Sequence, residues 1–334
     1  MPHLASDLEL SLALSENART APILAGEVKA EGIRLMMSRL HPSEMFWRQL
    51  RFADFDVSEM SISSLTIATA RGQTEWVGIP VFTMRSFFHT WAVVRSNAGI
   101  AVPADLAGKR VGVPEFQQTA AVWSRGILQD EFGVDPRSIR WFMERRPEKS
   151  HGGANFQAPP GFQFEYVAAD SSIGDMLADG SLDATLLYLR EANLVDRSRR
   201  DVLGDGTARP LFPDNAAECR RFFAKTGLYP INHCVVIRRS VVERYPWVTL
   251  NIYNMFMAAN RALVRQRAEL LEPYNAVGWI DPPTQARIAA DPMPYGVVAA
   301  RPVLENVTRY LFETGLTQRR VALDELFAAN TMEL

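Results

Sequence analysis

Several features that define whole classes of protein are missing from this 334-residue sequence. It has only two cysteines, Cys219 and Cys234, far from any C-x-x-C spacing, which argues against a disulfide framework and a thiolate metal site. No apolar stretch approaches the roughly 20 residues that a membrane-spanning helix needs. The net charge is -2 and no basic run is interleaved with aromatic residues, so the sequence gives no support for nucleic-acid binding.

Motifs that would hold a cofactor are also missing. There is no His-x-His, no His-Glu-x-x-His and no carboxylate cluster at ligand spacing, and the pair Gly152-Gly153 lacks the strand and helix of a phosphate-binding loop. No G-x-S-x-G elbow of a serine hydrolase is present. We therefore expect no metal and no other cofactor, although a metal site assembled from the distant His89, His233 and Glu59 stays open.

The N-terminal segment lacks the basic region and unbroken apolar core of an export signal. Instead, leucines occupy every second position from Leu8 to Leu14, which is the period of a β-strand. We therefore expect structure to begin at once and the protein to stay in the cytoplasm.

What is present is an ordinary globular composition, with 47% hydrophobic and 22% charged residues. Strand and helix patterns alternate in the first half, which is typical of an α/β fold with a mainly parallel sheet. The chain is long enough for two lobes. Two extended segments near 90–96 and 232–238 divide it into a discontinuous lobe, 1–94 plus 236–334, and an inserted lobe, 95–235. Two such lobes joined by two crossover strands enclose a central ligand cleft.

Two strand-to-helix junctions are the clearest local signals. At the first junction, the strand Lys109–Val113 leads through Pro114–Thr119 into a helix over 119–132 that ends before Gly133. At the second junction, 59–64, Ser63 and Ser64 are candidate helix caps. A helix that begins directly after a strand directs its unpaired N–H groups at the space beyond that strand, which suits an anion. We expect the two junctions to face each other across the cleft.

Seven segments in order resemble the 4,5-dihydroxyphthalate decarboxylase family: "FDVSEMSISSL", "IPVFTMRSFFH", "ADLAGKRVGVPEFQQTAAVW", "PEKSHGG", "MLADGSLDA", "LFPD" and "TGLYPINHCVVIRR". The resemblance extends from about 19 to about 247. It implies a type II periplasmic-binding-protein-like fold and a cytoplasmic enzyme that removes one carboxylate from a hydroxylated aromatic diacid. In the named case the product is 3,4-dihydroxybenzoate.

That chemistry needs a base, an acid and cations. His89 and His233 are the candidates for proton transfer, since each lies in a crossover segment and histidine titrates near neutral pH. Glu59 and Glu115, one at each junction, are candidates for a proton donor or for a hydrogen-bond acceptor from substrate hydroxyls. Each of these four could instead have a purely structural role.

Arginine is the expected carboxylate ligand because its guanidinium binds a carboxylate through two parallel hydrogen bonds. Arg19 and Arg85 are the first choices, and Arg39 and Arg190 the second. The expected neutral hydrogen-bonding and ring-stacking partners are Ser61, Ser63, Ser64, Gln117, Gln118, Thr119, Phe116, Tyr188 and Trp91, although the aromatic ones are more often core residues. His151 lies in a glycine-rich loop that could be a lid or mere decoration, and His3 and His41 are expected at the surface.

Two functions of different class remain open from the sequence. The first is a cofactor-independent decarboxylase acting on an aromatic dicarboxylic acid. The second is a non-catalytic cytosolic solute-binding protein that closes on an aromatic carboxylate, and a ring proton-transfer enzyme is a weaker third. A homo-oligomer is possible, because the C-terminal part is rich in apolar and aromatic residues.

Overall fold

The computed structural model describes residues 7–151 and 158–334, and the strands of this part form two separate β-sheets. The first sheet contains, in spatial order, β2 (Ile33–Arg39), β1 (Leu8–Leu14), β3 (Val57–Ser61), β11 (Ile231–Arg238) and β4 (Trp76–Arg85). The second contains β10 (Ala208–Pro210), β5 (Val93–Arg95), β9 (Ala184–Thr185), β6 (Arg110–Val113), β7 (Arg140–Met143) and β8 (Gln163–Tyr166). His3 and the pair Gly152-Gly153 lie outside the described residues.

Helices pack around both sheets. In chain order they are α1 (Ala21–Leu24), α2 (Pro42–Phe52), α3 (Ile62–Ala70), α4 (Thr119–Phe132), α5 (Ile173–Asp179), α6 (Asn215–Thr226), α7 (Arg239–Arg244), α8 (Val248–Ala276), α9 (Pro282–Ala289), α10 (Val297–Glu313) and α11 (Leu323–Leu326). In the described part of the chain, no helix combines the length and the hydrophobicity that a membrane crossing requires.

The first sheet is mainly parallel, as expected, with one reversed strand: β2, β1, β3 and β4 run in the same direction and β11 runs opposite to them. Strands β2, β1 and β3 run parallel, so their carboxyl ends meet at one edge. Strand β11 returns from the far part of the chain and pairs antiparallel with both β3 and β4. Local periodicity could not reveal this direction, because it is set by a strand more than 140 residues away from β4.

The first crossover, expected to be extended near 90–96, begins with a turn. Strand β4 belongs to the first sheet and β5 to the second, and a 3₁₀ turn, Phe88–Trp91, stands between them. The turn buries Phe88 and His89 and therefore anchors the crossover in the core. At the other crossover, the whole of β11 lies in the first sheet. The lobe boundaries at 94/95 and 235/236 stay predictions.

Of the two helices expected at the junctions, α4 agrees with the prediction and α3 begins at a different residue. The predicted helix over 119–132 is confirmed, and Gly133 ends it with a left-handed φ of 67° that glycine adopts without strain. The prediction that Ser63 and Ser64 cap α3 is wrong, because both lie inside its first turn and Ser61 occupies the cap position. The Ser63 hydroxyl instead donates to the Gln117 carbonyl at 2.6 Å.

Candidate active site

A cavity of about 700 Å³ is lined by segments that follow strands of both sheets. From the first sheet come the segments after β1, β2 and β3 and the facing parts of β4 and β11, because the carboxyl ends of parallel strands meet at one edge. From the second come the start of α4, His151 and residues 187–191. Ligand sites in α/β proteins lie at such edges.

His233, which lines this cavity, is paired with a buried carboxylate behind it. Nδ1 of His233 on β11 is 3.1 Å from Oε2 of Glu59 on β3. Glu59 is fully buried and accepts further hydrogen bonds from Thr83 at 2.6 Å and from the Ser15 backbone and hydroxyl at 2.6 and 2.7 Å. Burial alone raises the pKa of Glu59, but the hydrogen bonds from His233, Thr83 and Ser15 outweigh it and hold that pKa below its ordinary value. Glu59 is therefore an anion that orients His233 and offers it a counter-charge.

The other end of the His233 ring faces the cavity. The side-chain amide of Asn232 is 2.9 Å from Nε2 of His233, and the ring of Phe46 meets the imidazole edge-on at a centroid distance of 4.7 Å. All three side chains line the cavity. The geometry therefore presents one ring nitrogen to a carboxylate and the other to the Asn232 amide at the cavity wall.

Two buried arginines form the cationic part of the cavity. Arg19, in the segment after β1, pairs with Asp291 at 2.6 Å, and Arg85 at the end of β4 donates to the Pro294 carbonyl at 2.6 Å. Among the described residues, Nε and Nη1 of Arg19 and Nε of Arg85 have no hydrogen-bond partner. Burial and the neighbouring charge of Arg19 lower the pKa of Arg85 to about 10. Two guanidinium groups close enough to repel each other, with N–H groups to spare, suit an anionic ligand.

The two junctions contact each other directly. The Ser61 hydroxyl is 2.6 Å from that of Thr119, which also accepts from the Ser63 backbone N–H at 3.1 Å. These hydroxyls satisfy one another across the boundary between the sheets. They join the two sheets here and leave little hydrogen-bonding capacity for a ligand.

The cavity gathers part of the set predicted from sequence. Its lining includes Arg19, Arg85, Ser61, Gln118, Tyr188, Arg190, His233 and Trp91. The predicted residues that do not line it are His89, Glu59, Glu115, Ser63, Ser64, Phe116, Gln117, Thr119 and Arg39. Of these, Glu59 acts on the cavity through His233, and Glu115 is buried behind it, where it pairs with Arg145 at 3.1 Å.

The other predicted residues outside the lining have identifiable contacts. His89 is fully buried and its Nε2 lies 2.9 Å from Glu218 on α6. The ring of Phe116 is packed in the core, and Cζ of the Arg125 guanidinium lies 3.6 Å from its centroid. Arg39 is exposed and pairs with Glu16 at 2.9 Å. These contacts are those of structural residues.

Sequence reasoning missed one strand-to-helix junction, where α2 follows β2. His41, Ser43 and Phe46 from this junction all line the cavity, although His41 was expected at the surface. Pro42 at the first helical position and His41 as its cap, accepting from the Ser43 N–H at 3.3 Å, were a readable signal. Applying the junction rule a third time would have found them.

Metal ligation finds no support in the geometry of the described residues. Within 7–151 and 158–334, no three His, Cys, Asp or Glu side chains are grouped as ligands of one ion. His89 and His233 in particular have separate carboxylate partners, Glu218 and Glu59.

Comparison with known proteins places this geometry in context. The chain is 30% identical over 336 residues to a 4,5-dihydroxyphthalate decarboxylase of Comamonas testosteroni, covering 98% of each chain. It is 35% identical over 186 residues to a 4,5-dihydroxyphthalate decarboxylase of Pseudomonas putida, covering 55% of this chain and 72% of that one. No protein-family model matches the chain.

Solved structures resemble it in fold. The periplasmic aliphatic sulphonate binding protein of Escherichia coli superposes with a TM-score of 0.57 at 14% identity, covering 96% of this chain and 92% of that one. The alkanesulfonate-binding protein of Xanthomonas axonopodis gives 0.55 at 13% identity, covering 95% and 96%. The expected periplasmic-binding-protein-like fold is therefore confirmed.

Proposed function

The chain belongs to the 4,5-dihydroxyphthalate decarboxylase family and is a carboxy-lyase, and we propose that it removes one carboxylate from a hydroxylated aromatic dicarboxylic acid bound in the cavity. The substrate is 4,5-dihydroxyphthalate or a close analogue, and the corresponding product is 3,4-dihydroxybenzoate. The observation that carries the proposal is that His233, the partner of Glu59, lines one cavity with Arg19 and Arg85, which keep N–H groups without a hydrogen-bond partner among the described residues.

The order of the chemical steps follows from the ring. Direct loss of CO2 from an aromatic carbon would leave an electron pair in the plane of the ring, where the π system cannot stabilise it. Protonation of that carbon first, with electron density supplied by the para hydroxyl, avoids this species. Breaking the C–CO2 bond then returns its electron pair to the ring and restores aromaticity. One proton is consumed for each CO2 released.

Arg19 and Arg85 bind the carboxylates of the substrate. A dianionic ortho-diacid offers four oxygens within one edge of the ring, and the two repelling guanidinium groups are relieved by that charge. Asp291 positions Arg19 by accepting from Nη2 at 2.6 Å, which leaves Nε and Nη1 for the ligand. The retained carboxylate keeps its cationic partners throughout, while the departing one loses its charge as CO2.

His233 delivers the proton to the ring carbon. The Glu59 carboxylate lies 3.1 Å from Nδ1, fixes the ring and supplies a counter-charge for proton delivery. A positioned acid of this type contributes roughly 10²–10⁴-fold to the rate. Phe46, edge-on to His233, together with Tyr188 and Trp91 in the lining, supplies apolar surface for the aromatic ring of the substrate.

The test is turnover by the purified, chelator-treated protein. We expect CO2 release and 3,4-dihydroxybenzoate formation from 4,5-dihydroxyphthalate, and we expect His233→Gln to lose turnover while calorimetry still detects binding. Restoration of activity only by added divalent metal would contradict a cofactor-independent reaction. Tight binding without CO2 release, with or without metal, would contradict the proposed substrate chemistry.

A further inference from the structure

A second histidine–carboxylate cluster borders the cavity. His151 lines the cavity, its Nδ1 is 3.6 Å from Oε2 of Glu115, and its Nε2 is 3.2 Å from Nη1 of Arg145. Arg145 also binds Asp196 at 2.7 Å and Ser43 at 2.6 Å. The side chains of Arg145 and Glu115 are completely buried and that of Asp196 nearly so. We call His151, Glu115, Arg145 and Asp196 the Arg145 cluster.

Phe46 connects the two histidines. Its ring centroid is 4.7 Å from that of His233 and 5.6 Å from that of His151, and both contacts are edge-on. The two imidazoles therefore lie no farther apart than the sum of these distances, and both line the same cavity. One comes from the strand that crosses back into the first sheet and the other from the segment after β7.

We propose that His151 is a second catalytic residue, the base that takes the phenolic proton from the hydroxyl para to the departing carboxylate. This inference rests on the proposed function. Proton transfer requires an approach of about 2.6–3.2 Å. The phenolic oxygen and its para carbon lie on opposite sides of a benzene ring, so His233 cannot contact both at once.

The two residues together balance the reaction. His151 Nδ1 forms a bond to the phenolic proton, and the O–H electron pair shifts through the ring to the para carbon, which forms a C–H bond with the proton of His233. The C–CO2 bond then breaks, its electrons return to the ring, and the oxygen recovers its proton from His151. The net change is the uptake of one proton, through His233, and the release of CO2.

The two histidines differ in the charges that surround them. His233 contacts a carboxylate, Glu59, whereas His151 contacts both the carboxylate of Glu115 and the cation of Arg145. Burial lowers the pKa of His151, Glu115 raises it and Arg145 lowers it again, with a net decrease. A neutral His151 is the form that a base needs. Among the described residues its Nδ1 has no hydrogen-bond partner, and Glu115 stands ready to stabilise the imidazolium that forms there.

The groups that face His151 come from four segments. Glu115 follows β6, Arg145 follows β7 and Asp196 lies in the loop before β10. From α2 the Ser43 carbonyl is 3.3 Å from Nε2, and His41 at the same helix start interacts with the same Arg145 and Asp196. Burial alone would raise the pKa values of the Glu115 and Asp196 carboxyls, but the charge of Arg145 and hydrogen bonds outweigh it and hold both pKa values low, so the charge of this set depends on His151 and His41 in the neutral pH range.

The test compares His151→Gln with wild type on 4,5-dihydroxyphthalate as a function of pH. We expect kcat to fall roughly 10²–10⁴-fold with little change in KM. We also expect the acidic limb of the pH–rate profile to disappear, since that limb reports protonation of the base. Lys149→Gln is the matched control. Lys149 lies two residues before His151, its ammonium is 4.3 Å from the ring centroid of Trp47, and it does not line the cavity. It should behave as wild type.

A ring-fluorinated substrate with a more acidic phenol separates a base from a structural residue. Once the phenol is ionised no base is needed, so His151→Gln should regain rate relative to wild type, whereas His233→Gln should not. The wild-type acidic limb should also weaken with this substrate, a measurement that requires no variant. If His151→Gln keeps its kcat and acidic limb, or the fluorinated substrate changes neither enzyme, the inference is overturned. Absence of wild-type turnover would instead overturn the proposed function together with this one.

Discussion

Glu59 and His233 are diagonal neighbours on one face of the β3–β11 pair, where Val235 stands opposite Glu59 and Ser61 opposite His233. Their side chains meet at 3.1 Å because residues two apart on a strand share a face. A parallel β11 would have placed different residues opposite one another. The antiparallel return of β11 therefore creates the pair that we propose for proton delivery.

Replacing Glu59 by Gln should lower kcat by roughly 10²-fold, because the imidazolium of His233 loses its buried counter-charge. KM should change little, since Glu59 does not line the cavity. Steady-state kinetics over pH 5–10 would measure this, and Glu9→Gln, at an exposed carboxylate on β1, is the control. An unchanged kcat would exclude Glu59 from the reaction.

Replacing Arg85 or Arg19 by Gln should raise KM for the dicarboxylate about 10- to 150-fold, because each charge-assisted hydrogen bond contributes about 1.5–3 kcal/mol. Lysine should not restore affinity, since it lacks the planar pair of donors. Either substitution should weaken binding of the product, a monocarboxylate, less than binding of the substrate, and calorimetry measures both affinities. Arg34→Gln, at an exposed residue paired with Glu9, is the control and should bind normally.

His89→Gln should retain kcat/KM and lower the free energy of unfolding at pH 7 by about 1–3 kcal/mol, because it disturbs a buried bond to Glu218. Burial lowers the pKa of His89, with Glu218 opposing. Below about pH 6.5 the unfolded chain binds a proton that the native state does not. Wild type therefore loses stability on acidification. The difference in the free energy of unfolding between wild type and His89→Gln should narrow from pH 7 to pH 5. Urea unfolding at pH 7 and pH 5 measures this difference. If His89→Gln lost kcat while keeping the stability of wild type, His89 would again be a candidate catalytic residue.

Arg125→Met should raise the free energy of unfolding by about 1–3 kcal/mol. Among the described residues Arg125 has no hydrogen-bond or carboxylate partner, and only the rings of Phe116 and Trp141 lie against its guanidinium. Burial lowers its pKa to about 9, which reflects the cost of the unpaired charge. Arg140→Met, at an exposed position on the adjacent β7, should change stability by less than about 0.5 kcal/mol. A marked loss in Arg125→Met would mean that the contact with Phe116 outweighs desolvation.

Part of the cavity was accessible to sequence reasoning. The strand-to-helix rule located α4 and the ends of β1 and β3, and the choice of Arg19, Arg85 and His233 followed from their positions at strand ends and in a crossover. The same rule failed for Ser63, Gln117 and Thr119, which it placed in the site. Their hydroxyls and carbonyls bond one another, and a residue's position after a strand does not reveal whether a neighbour has already used its hydrogen bonds.

The sequence by itself determined the local elements, the family and the presence of buried arginines and histidines near strand ends, because periodicity, helix starts and glycine stops act over a few residues. Only the tertiary structure decided which carboxylate each histidine meets. Glu59 pairs with His233 across 174 positions, Glu115 with His151 across 36 and Glu218 with His89 across 129. Such pairs depend on strand direction and on the packing of one sheet against the other, and these are fixed by burial of the whole chain at once. That is why His89, a predicted proton-transfer residue, lies outside the cavity lining, whereas His151, predicted only in a loop that could be a lid or decoration, lies within it.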